Sequence, residues 1–419
     1  MFKIEHVRIN KFWKRFNSEC DFNQSVNIII GRNGTGKTTF MNVLHSVLSV
    51  DVEGICNTDF ESAIITLRSG KNKKTIRVKK IEQSSTPFAL LEYQITRKKY
   101  YVQLISSNDG RIAAHYRRKA IEESEDVRGE LAKIVSLSSL SVYRLRSGDD
   151  IDYRDRQNTI SINPVDYRLT QLLQQLTRFQ LELSQKAREI ATELQKEVLA
   201  SVLYNKDSAY NHYNINDFDK EKEKNNLIYA YNQLNAMDVR IKRKITLHVD
   251  SIEKTISEIK QSKNGKVANI DFSALEALNK TKKIIQMSLD AERKTALVYE
   301  PINLFINILS EFIADKKFSF NGGQLEVKNS YNHIDYEALS SGEKQLLILL
   351  IETLLQKSQP YIFLTDEPEL SLHIAWQRQI IPAIMRLNPN AQVIAATHSP
   401  EVASKYRDSI LNMENIVHV

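Results

Sequence analysis

Hydrophobic and polar residues alternate over residues 2–9 and stay extended near 16–22, and a short apolar run at 26–30 follows before a glycine loop. Period-two alternation predicts strands, and the periodic stretch at 40–48 predicts a helix, so the order is strand, loop, helix. Alternation returns over 62–116. Turn sequences at Ser69-Gly70-Lys71 and Asn108-Asp109-Gly110 predict antiparallel hairpins there. A helix at 121–134 and a strand near 138–145 are expected next.

The period changes after Pro164. Leu169, Leu172, Leu176, Phe179, Leu183, Ala187, Ile190, Leu194 and Val198 recur every three or four positions, the stripe of one long amphipathic helix with Asp166 as its N-cap. A polar stretch at 205–226 interrupts it. A second series, Leu227, Tyr231, Leu234, Met237, Ile241, Ile245, Val249, Ile252, Ile256 and Ile259, then predicts a helix of about 35 residues, roughly 50 Å long. A turn near Lys263-Asn264-Gly265 leads to a third helix at 272–299. The spacing drifts between coiled-coil and straight-helix periods, so a small bundle and a projecting coiled coil both remain open. A helix at 302–313 and a hairpin at 317–327, turning at Asn321-Gly322-Gly323, follow. The expected domains are 1–163, a helical insert at 164–300, and 301–419.

Composition sharpens this division. The 419 residues include 12 Gly and 8 Pro, and the 136 positions from Val165 to Glu300 hold no Pro and only Gly265. Collagen-like, linker-like and turn-dense all-β chains are excluded, and the breaker-poor stretch should be mostly helix. The apolar run at 346–355 carries Glu352 and is too short for a membrane span; residues 1–13 hold no signal-peptide core. A cytoplasmic protein without a membrane partner is expected. Cys20 and Cys56 form no zinc or disulfide pattern. The net charge is +7, and Arg68, Lys71, Lys73, Lys74, Arg77, Lys79 and Lys80 supply as many positives with no acid among them. The strip reads either as a cationic face suited to phosphates or as solvated lysines that keep an edge strand from aggregating.

Four short segments carry chemistry. Gly31-Arg32-Asn33-Gly34-Thr35-Gly36-Lys37-Thr38 follows an apolar strand and opens a helix, the context that a phosphate loop requires. Its backbone N–H groups close on phosphate oxygens, Lys37 reaches the β- and γ-phosphates, and Thr38 ligates Mg²⁺. The nucleotide-binding set is Asn33, Gly34, Thr35, Gly36, Lys37, Thr38 and Thr39. A second apolar strand ends in Asp366-Glu367: Asp366 as a Mg²⁺ ligand, Glu367 to orient the attacking water. Leu339-Ser340-Ser341-Gly342-Glu343 opens an apolar helix where Ser340 and Gly342 could dock a γ-phosphate, though alone it reads as an N-cap and a turn. A third strand ends in Thr397-His398, and His398 could bond the γ-phosphate or the water.

In this order the four segments resemble an ABC-class ATPase: phosphate loop, signature LSSGE, Asp-Glu strand and switch histidine. The resemblance implies an α/β fold, a P-loop ABC ATPase domain with an antiparallel β subdomain, split by a mostly helical, coiled-coil-like insert. It also implies ATP held with Mg²⁺ between two copies set head to tail. Lys37, Thr38, Asp366, Glu367 and His398 would act in cis, and Ser340 and Gly342 in trans. Ser341 and Glu343 depart from the transporter signature LSGGQ, and His373 replaces an aspartate. Gln94 and Gln157 are the candidates for the glutamine of the Q-loop. The segment Phe2-Lys3-Ile4-Glu5-His6-Val7-Arg8-Ile9-Asn10 and the helical insert resemble the SMC/RecF/RecN-like branch. DEPELSLH and ATHSPEV resemble, within it, the ATPases of anti-phage defence and of OLD nuclease systems.

OLD enzymes carry a Toprim nuclease domain after the ATPase, whereas 21 residues follow His398 here. The chain therefore resembles the stand-alone ATPase subunit of a defence system such as PARIS or Septu. The implied role is a slow, regulatory, homo-oligomeric ATPase that senses a trigger and controls a separate Toprim or HNH nuclease. An acidic viral trigger protein or DNA is the expected partner of the 68–80 strip. The alternatives are a DNA-binding repair or chromosome-maintenance ATPase, a transporter ATPase subunit, and an ATP-binding scaffold.

Overall fold

The computed structural model describes residues 1–81, 89–104, 114–139, 151–154, 159–202, 218–233, 236–261, 272–330 and 332–418. They form two compact units, Met1–Thr177 with Leu304–Val419, and Arg178–Asn303. The expected turn at 108–110, Gln157 and the 263–265 turn lie outside the described residues, as does the expected strand beyond Ser139.

In the first unit, β1 (Lys3–Phe12) and β2 (Phe16–Asp21) form a hairpin, and β3 (Val26–Ile30) leads through the glycine loop into α1 (Lys37–Ser49) and the short α2 (Val52–Cys56). Strands β4 (Ser62–Ser69), β5 (Asn72–Ile81), β6 (Leu90–Ile95) and β7 (Lys98–Gln103) extend the first hairpin into an antiparallel sheet. Alternation decides which face is buried: Ile4, Val7, Ile9, Ala63, Ile65, Leu67, Ile76, Val78, Leu91, Tyr93 and Val102 all pack inward, against Phe40, Met41, Val43, Leu44 and Val47 of α1. Tyr93 is fully buried, so its hydroxyl needs a partner, and it donates to the Val47 carbonyl at 3.2 Å. Next come α3 (Ala114–Ala132), β8 (Leu137–Ser139) and a hairpin of β9 (Ile151–Arg154) with β10 (Thr159–Ile162). From α3, Arg128 donates to the Ser49 and Val50 carbonyls at 3.2 and 3.0 Å, satisfying carbonyls at the C-terminal end of α1.

Helix α4 (Pro164–Val202) is the long helix that the stripe predicts, but its cap is Asn163, whose side chain accepts from Val165 N at 2.9 Å. Asp166 does not cap it: Pro164 takes the first helical position, which displaces the cap by three residues, and Asp166 pairs with Lys344 at 2.7 Å instead. The second series is two helices rather than one of 35 residues, α5 (Lys220–Gln233) and α6 (Val239–Gln261). Asp238 starts the second of them, its carboxylate accepting from Ile241 N at 2.6 Å as an N-cap. Helix α7 (Phe272–Phe312) runs through Pro301, where a break was expected. The lost bond and ring clash cost about 3 kcal/mol; burial of Ile302, Phe305, Ile308 and Leu309 just beyond it offsets that. The boundaries between the units accordingly fall inside α4 and α7, at 177/178 and 303/304. In the second unit Leu227, Ala230, Ile245, Val249 and Ile285 of α5, α6 and α7 share a core.

The chain continues through the hairpin β11 (Lys317–Asn321) and β12 (Gln324–Lys328), α8 (Ser341–Leu355), β13 (Ile362–Asp366), α9 (Ile374–Leu387), β14 (Gln392–Ala396), α10 (Pro400–Ala403), β15 (Ile410–Asn412), α11 (Met413–Ile416) and β16 (Val417–His418). A five-stranded parallel sheet has the order β15-β3-β14-β13-β8. Its central strands are buried on both faces, as continuous apolar runs require. Gln392, fully buried in β14, joins the two sheets: it exchanges hydrogen bonds of 2.7 Å with the backbone of Ile4 in β1 and donates to Asn23 O at 2.8 Å. The fold is α/β, as the motifs imply.

The basic strip is less uniform than its sequence. Arg68 and Lys73 both pair with Glu5, at 2.9 and 2.8 Å. Lys74 and Lys80 fall on the inward register and lie over the Phe2 and Phe60 rings. Lys71, Arg77 and Lys79 remain exposed.

Candidate active site

Three adjacent parallel strands, β3, β14 and β13, end on the same side and deliver Gly31, Thr397-His398 and Asp366-Glu367 to one crevice. Ligands bind at the carboxyl ends of such strands because the loops diverge there and helix N-termini point inward.

The phosphate loop wraps the start of α1. Lys37 is buried and its ammonium donates to the Gly31 and Arg32 carbonyls at 2.8 and 3.0 Å, closing the loop into a ring. Burial lowers the Lys37 pKa, and the charges of Asp366 and Glu367 work against that effect. Thr35 folds back to donate to Arg32 O at 2.9 Å, whereas Asn33 and Gly34 are exposed and Thr39 is half-buried. Gly36 has φ +95°, and a β-carbon there would lie 2.9 Å from Phe12 and 3.0 Å from Trp13. Gly34, at φ +81°, has nothing within 4 Å. Gly36→Ala should therefore weaken ATP binding by about tenfold or more in a fluorescent-nucleotide titration, and more than Gly34→Ala, which meets only the left-handed backbone penalty of about 1–2 kcal/mol. Equal losses would show that contact with Phe12 and Trp13 does not shape the loop.

Thr38 Oγ1 donates to Asp366 Oδ2 at 2.7 Å, bridging 328 positions of sequence. A hydroxyl and a carboxylate side by side at the helix start are hard oxygen donors, the set that Mg²⁺ takes together with phosphate oxygens and water. Glu367 sits in the left-handed region, φ +50°, held by its N–H donating to Ala396 O at 2.7 Å. His398 Nε2 lies 3.9 Å from Glu367 Oε1. A cavity of about 400 Å³ opens beside them, lined by Gly31, Thr397, His398, Ser399 and Arg407 among others.

The signature is built on α8. Ser340 is its N-cap, with Ser340 Oγ accepting from Glu343 N at 3.3 Å and Glu343 Oε2 accepting from Ser340 N at 2.9 Å, a closed capping box. Lys316 holds the same glutamate. Glu343 thus has a local structural reason, and the Ser340 N–H is already used. Gly342 is required by close approach: a β-carbon would lie 2.5 Å from Ser371 O, in the loop that follows Asp366-Glu367. His373 caps α9 by accepting from Ala375 N at 3.3 Å. Gln94 stands on β6 in the antiparallel sheet, its amide donating to Thr96 O.

Residues that sequence reasoning missed include Phe12 and Trp13, stacked with centroids 5.0 Å apart beside Gly36. Glu369 was missed as well. Its Oε1 accepts from Thr397 Oγ1 and from the N–H groups of His398 and Ser399. The sequence shows only a second glutamate two positions after Glu367.

The chain is 28% identical over 179 residues to the Retron Ec83 probable ATPase of Escherichia coli, an alignment covering 35% of this chain and 32% of that protein. It is 34% identical over 89 residues to the Septu protein PtuA of Bacillus thuringiensis, covering 18% and 22%. The matched segments thus span about a third or less of these curated relatives. Among solved structures, the Smc head domain with an extended coiled coil from Pyrococcus furiosus aligns over 98% of this chain and 93% of that one, at 14% identity and a TM-score of 0.45. The family model AAA_21, described as "AAA domain, putative AbiEii toxin, Type IV TA system", matches residues 26–404. That span runs from the strand before the phosphate loop to beyond His398, and the chain belongs to this family of AAA-domain proteins.

Proposed function

We propose that the protein binds and hydrolyses ATP as a slow, regulatory ABC-type ATPase, and that it acts as sensor and scaffold for a separate nuclease in anti-phage defence. The Thr38–Asp366 hydrogen bond carries the enzymatic part, because it joins the phosphate loop to the carboxylate strand at the point where a nucleotide's terminal phosphates would sit. The names of the Retron and Septu relatives support the defence setting.

In this reading Lys37 leaves its two carbonyl partners to engage the β- and γ-phosphates, and loop N–H groups take the remaining oxygens. Thr38 and Asp366 would hold Mg²⁺, which when bound neutralises phosphate charge. Glu367 orients the attacking water and accepts its proton, and His398, on the neighbouring strand end, fixes the γ-phosphate. Ser340 and Gly342 of a second copy, set head to tail, complete the site, so ATP drives oligomer closure and hydrolysis releases it.

Affinity purification of the full chain from its native host in ATP and Mg²⁺ tests the partner. A nuclease polypeptide should co-elute, and Lys37→Ala should abolish its retention. A DNA-repair ATPase is favoured instead if no nuclease co-elutes and the chain alone binds duplex DNA with an affinity that falls steeply with salt. Exposed Arg77 and Lys79 are the residues whose charge reversal would remove such binding; Lys73 and Lys74, already engaged by Glu5 and Phe2, should matter less.

A further inference from the structure

We infer that Glu369 is a positioning residue for hydrolysis and that it acts through His398; the inference rests on the ATPase reading above. Strand β14 ends at Ala396, and beyond it the backbone N–H groups of His398 and Ser399 and the hydroxyl of Thr397 converge on one oxygen, Glu369 Oε1, with the two N–H contacts at 3.1 and 3.2 Å. Successive N–H groups aimed at one point make a concave anion site. Here the protein fills that site with its own carboxylate, from the segment immediately after Glu367.

The same segment ties the loop a second time. Ser399 Oγ donates to Gln377 Oε1 at 2.7 Å, and Gln377 Nε2 donates to Leu372 O at 3.1 Å. Glu367 N donates to Ala396 O at 2.7 Å from the other side. The backbone of His398 is therefore set by the 367–377 segment as much as by its own strand. Its imidazole stays 39% exposed and its Nε2 is 3.9 Å from Glu367 Oε1. Glu369 Oε2 is buried and has no hydrogen-bond partner among the described residues. A desolvated oxygen of this kind costs stability, so its presence in a native fold calls for a reason; the reason inferred here is that the other oxygen holds His398 relative to Glu367.

Misplacing a reacting group by about 1 Å costs on the order of a hundredfold in rate. Glu369→Ala should lower kcat by roughly 10- to 100-fold while ATP affinity stays within about threefold. Glu369→Gln keeps an acceptor oxygen at full reach and should recover most of the rate; Glu369→Asp, one methylene shorter, should not. Glu369→Ala placed in a His398→Ala background should cost nothing further, because residues acting as one unit are not additive. Hydrogen exchange at the His398 and Ser399 amides should accelerate in Glu369→Ala but not in Glu369→Gln.

Unchanged turnover in Glu369→Ala, an equal fall in ATP affinity, additive losses with His398→Ala, or unchanged exchange at both amides would each overturn the inference. A wild-type chain that binds ATP without turnover would instead overturn the ATPase reading, and the amide exchange alone would then decide whether Glu369 holds the His398 loop.

Discussion

Glu367→Gln should lower the ATP turnover rate by about 10²- to 10⁴-fold, the range for removing a positioned general base, while ATP affinity stays at the wild-type level. The substitution is nearly isosteric, so the Thr38–Asp366 hydrogen bond and the Lys37 ring with Gly31 and Arg32 survive it. The left-handed backbone at position 367 burdens Gln no more than Glu. What disappears is a carboxylate able to take a proton. Lys37→Ala is the contrasting variant: it removes the charge proposed to meet the phosphates, so binding and turnover should fall together. Isothermal titration with steady-state phosphate release separates the two. Turnover within about threefold of wild type in Glu367→Gln would assign the base elsewhere. If phage protection survives Glu367→Gln but not Lys37→Ala, ATP binding rather than hydrolysis drives the proposed defence role.

Arg168→Ala should destabilise the first unit by about 3–5 kcal/mol, the usual loss when one partner of a buried ion pair is removed. Glu352 lies in the apolar helix α8 with its side chain 5% exposed, and Arg168, from the start of α4, donates to it through Nε at 3.0 Å and through Nη2. Burial and the nearby Glu352 charge together raise the pKa of Tyr361. Without Arg168 a nearly buried carboxylate loses this partner. The urea midpoint should fall accordingly, and the double variant Arg168→Met with Glu352→Leu should recover most of the loss, because an apolar pair of similar volume avoids the desolvation cost. A loss below about 1 kcal/mol in Arg168→Ala would mean that other groups balance Glu352. Asp166 and Lys344 add a second pair between the same two helices, so the start of α4 is anchored to the helix that begins with the signature.

Much of the site was readable because its parts are local. A phosphate loop needs glycines at fixed offsets and a lysine at the helix start, all within eight residues, and the observed loop places Lys37 and Thr38 accordingly. The buried strands were likewise visible as short apolar runs ending in polar pairs. Prediction failed where one residue overruled a longer pattern. Asp238 starts a new helix inside an uninterrupted apolar series, since periodicity does not register a side chain that accepts Ile241 N. Pro301 does not end α7, since packing beyond it outweighs a local penalty. The run of seven cations overstated the free charge, since strand register turned Lys74 and Lys80 inward and Glu5 meets Arg68 and Lys73.

The sequence by itself determined the α/β order, the helical character of the breaker-poor stretch, and which residues are candidates to meet phosphate and Mg²⁺, because each follows from short-range periodicity or from motif spacing. Only the tertiary structure decided which of those residues meet. Thr38 and Asp366 are 328 positions apart and touch because β3, β14 and β13 are neighbours in one parallel sheet. Glu352 is tolerable in an apolar helix because Arg168, 184 positions earlier, reaches it. Glu369 became visible only when three donors from another strand end closed on its carboxylate. Hydrogen bonds and ion pairs depend on distance in space, and no one-dimensional pattern contains that distance until the sheet order is known.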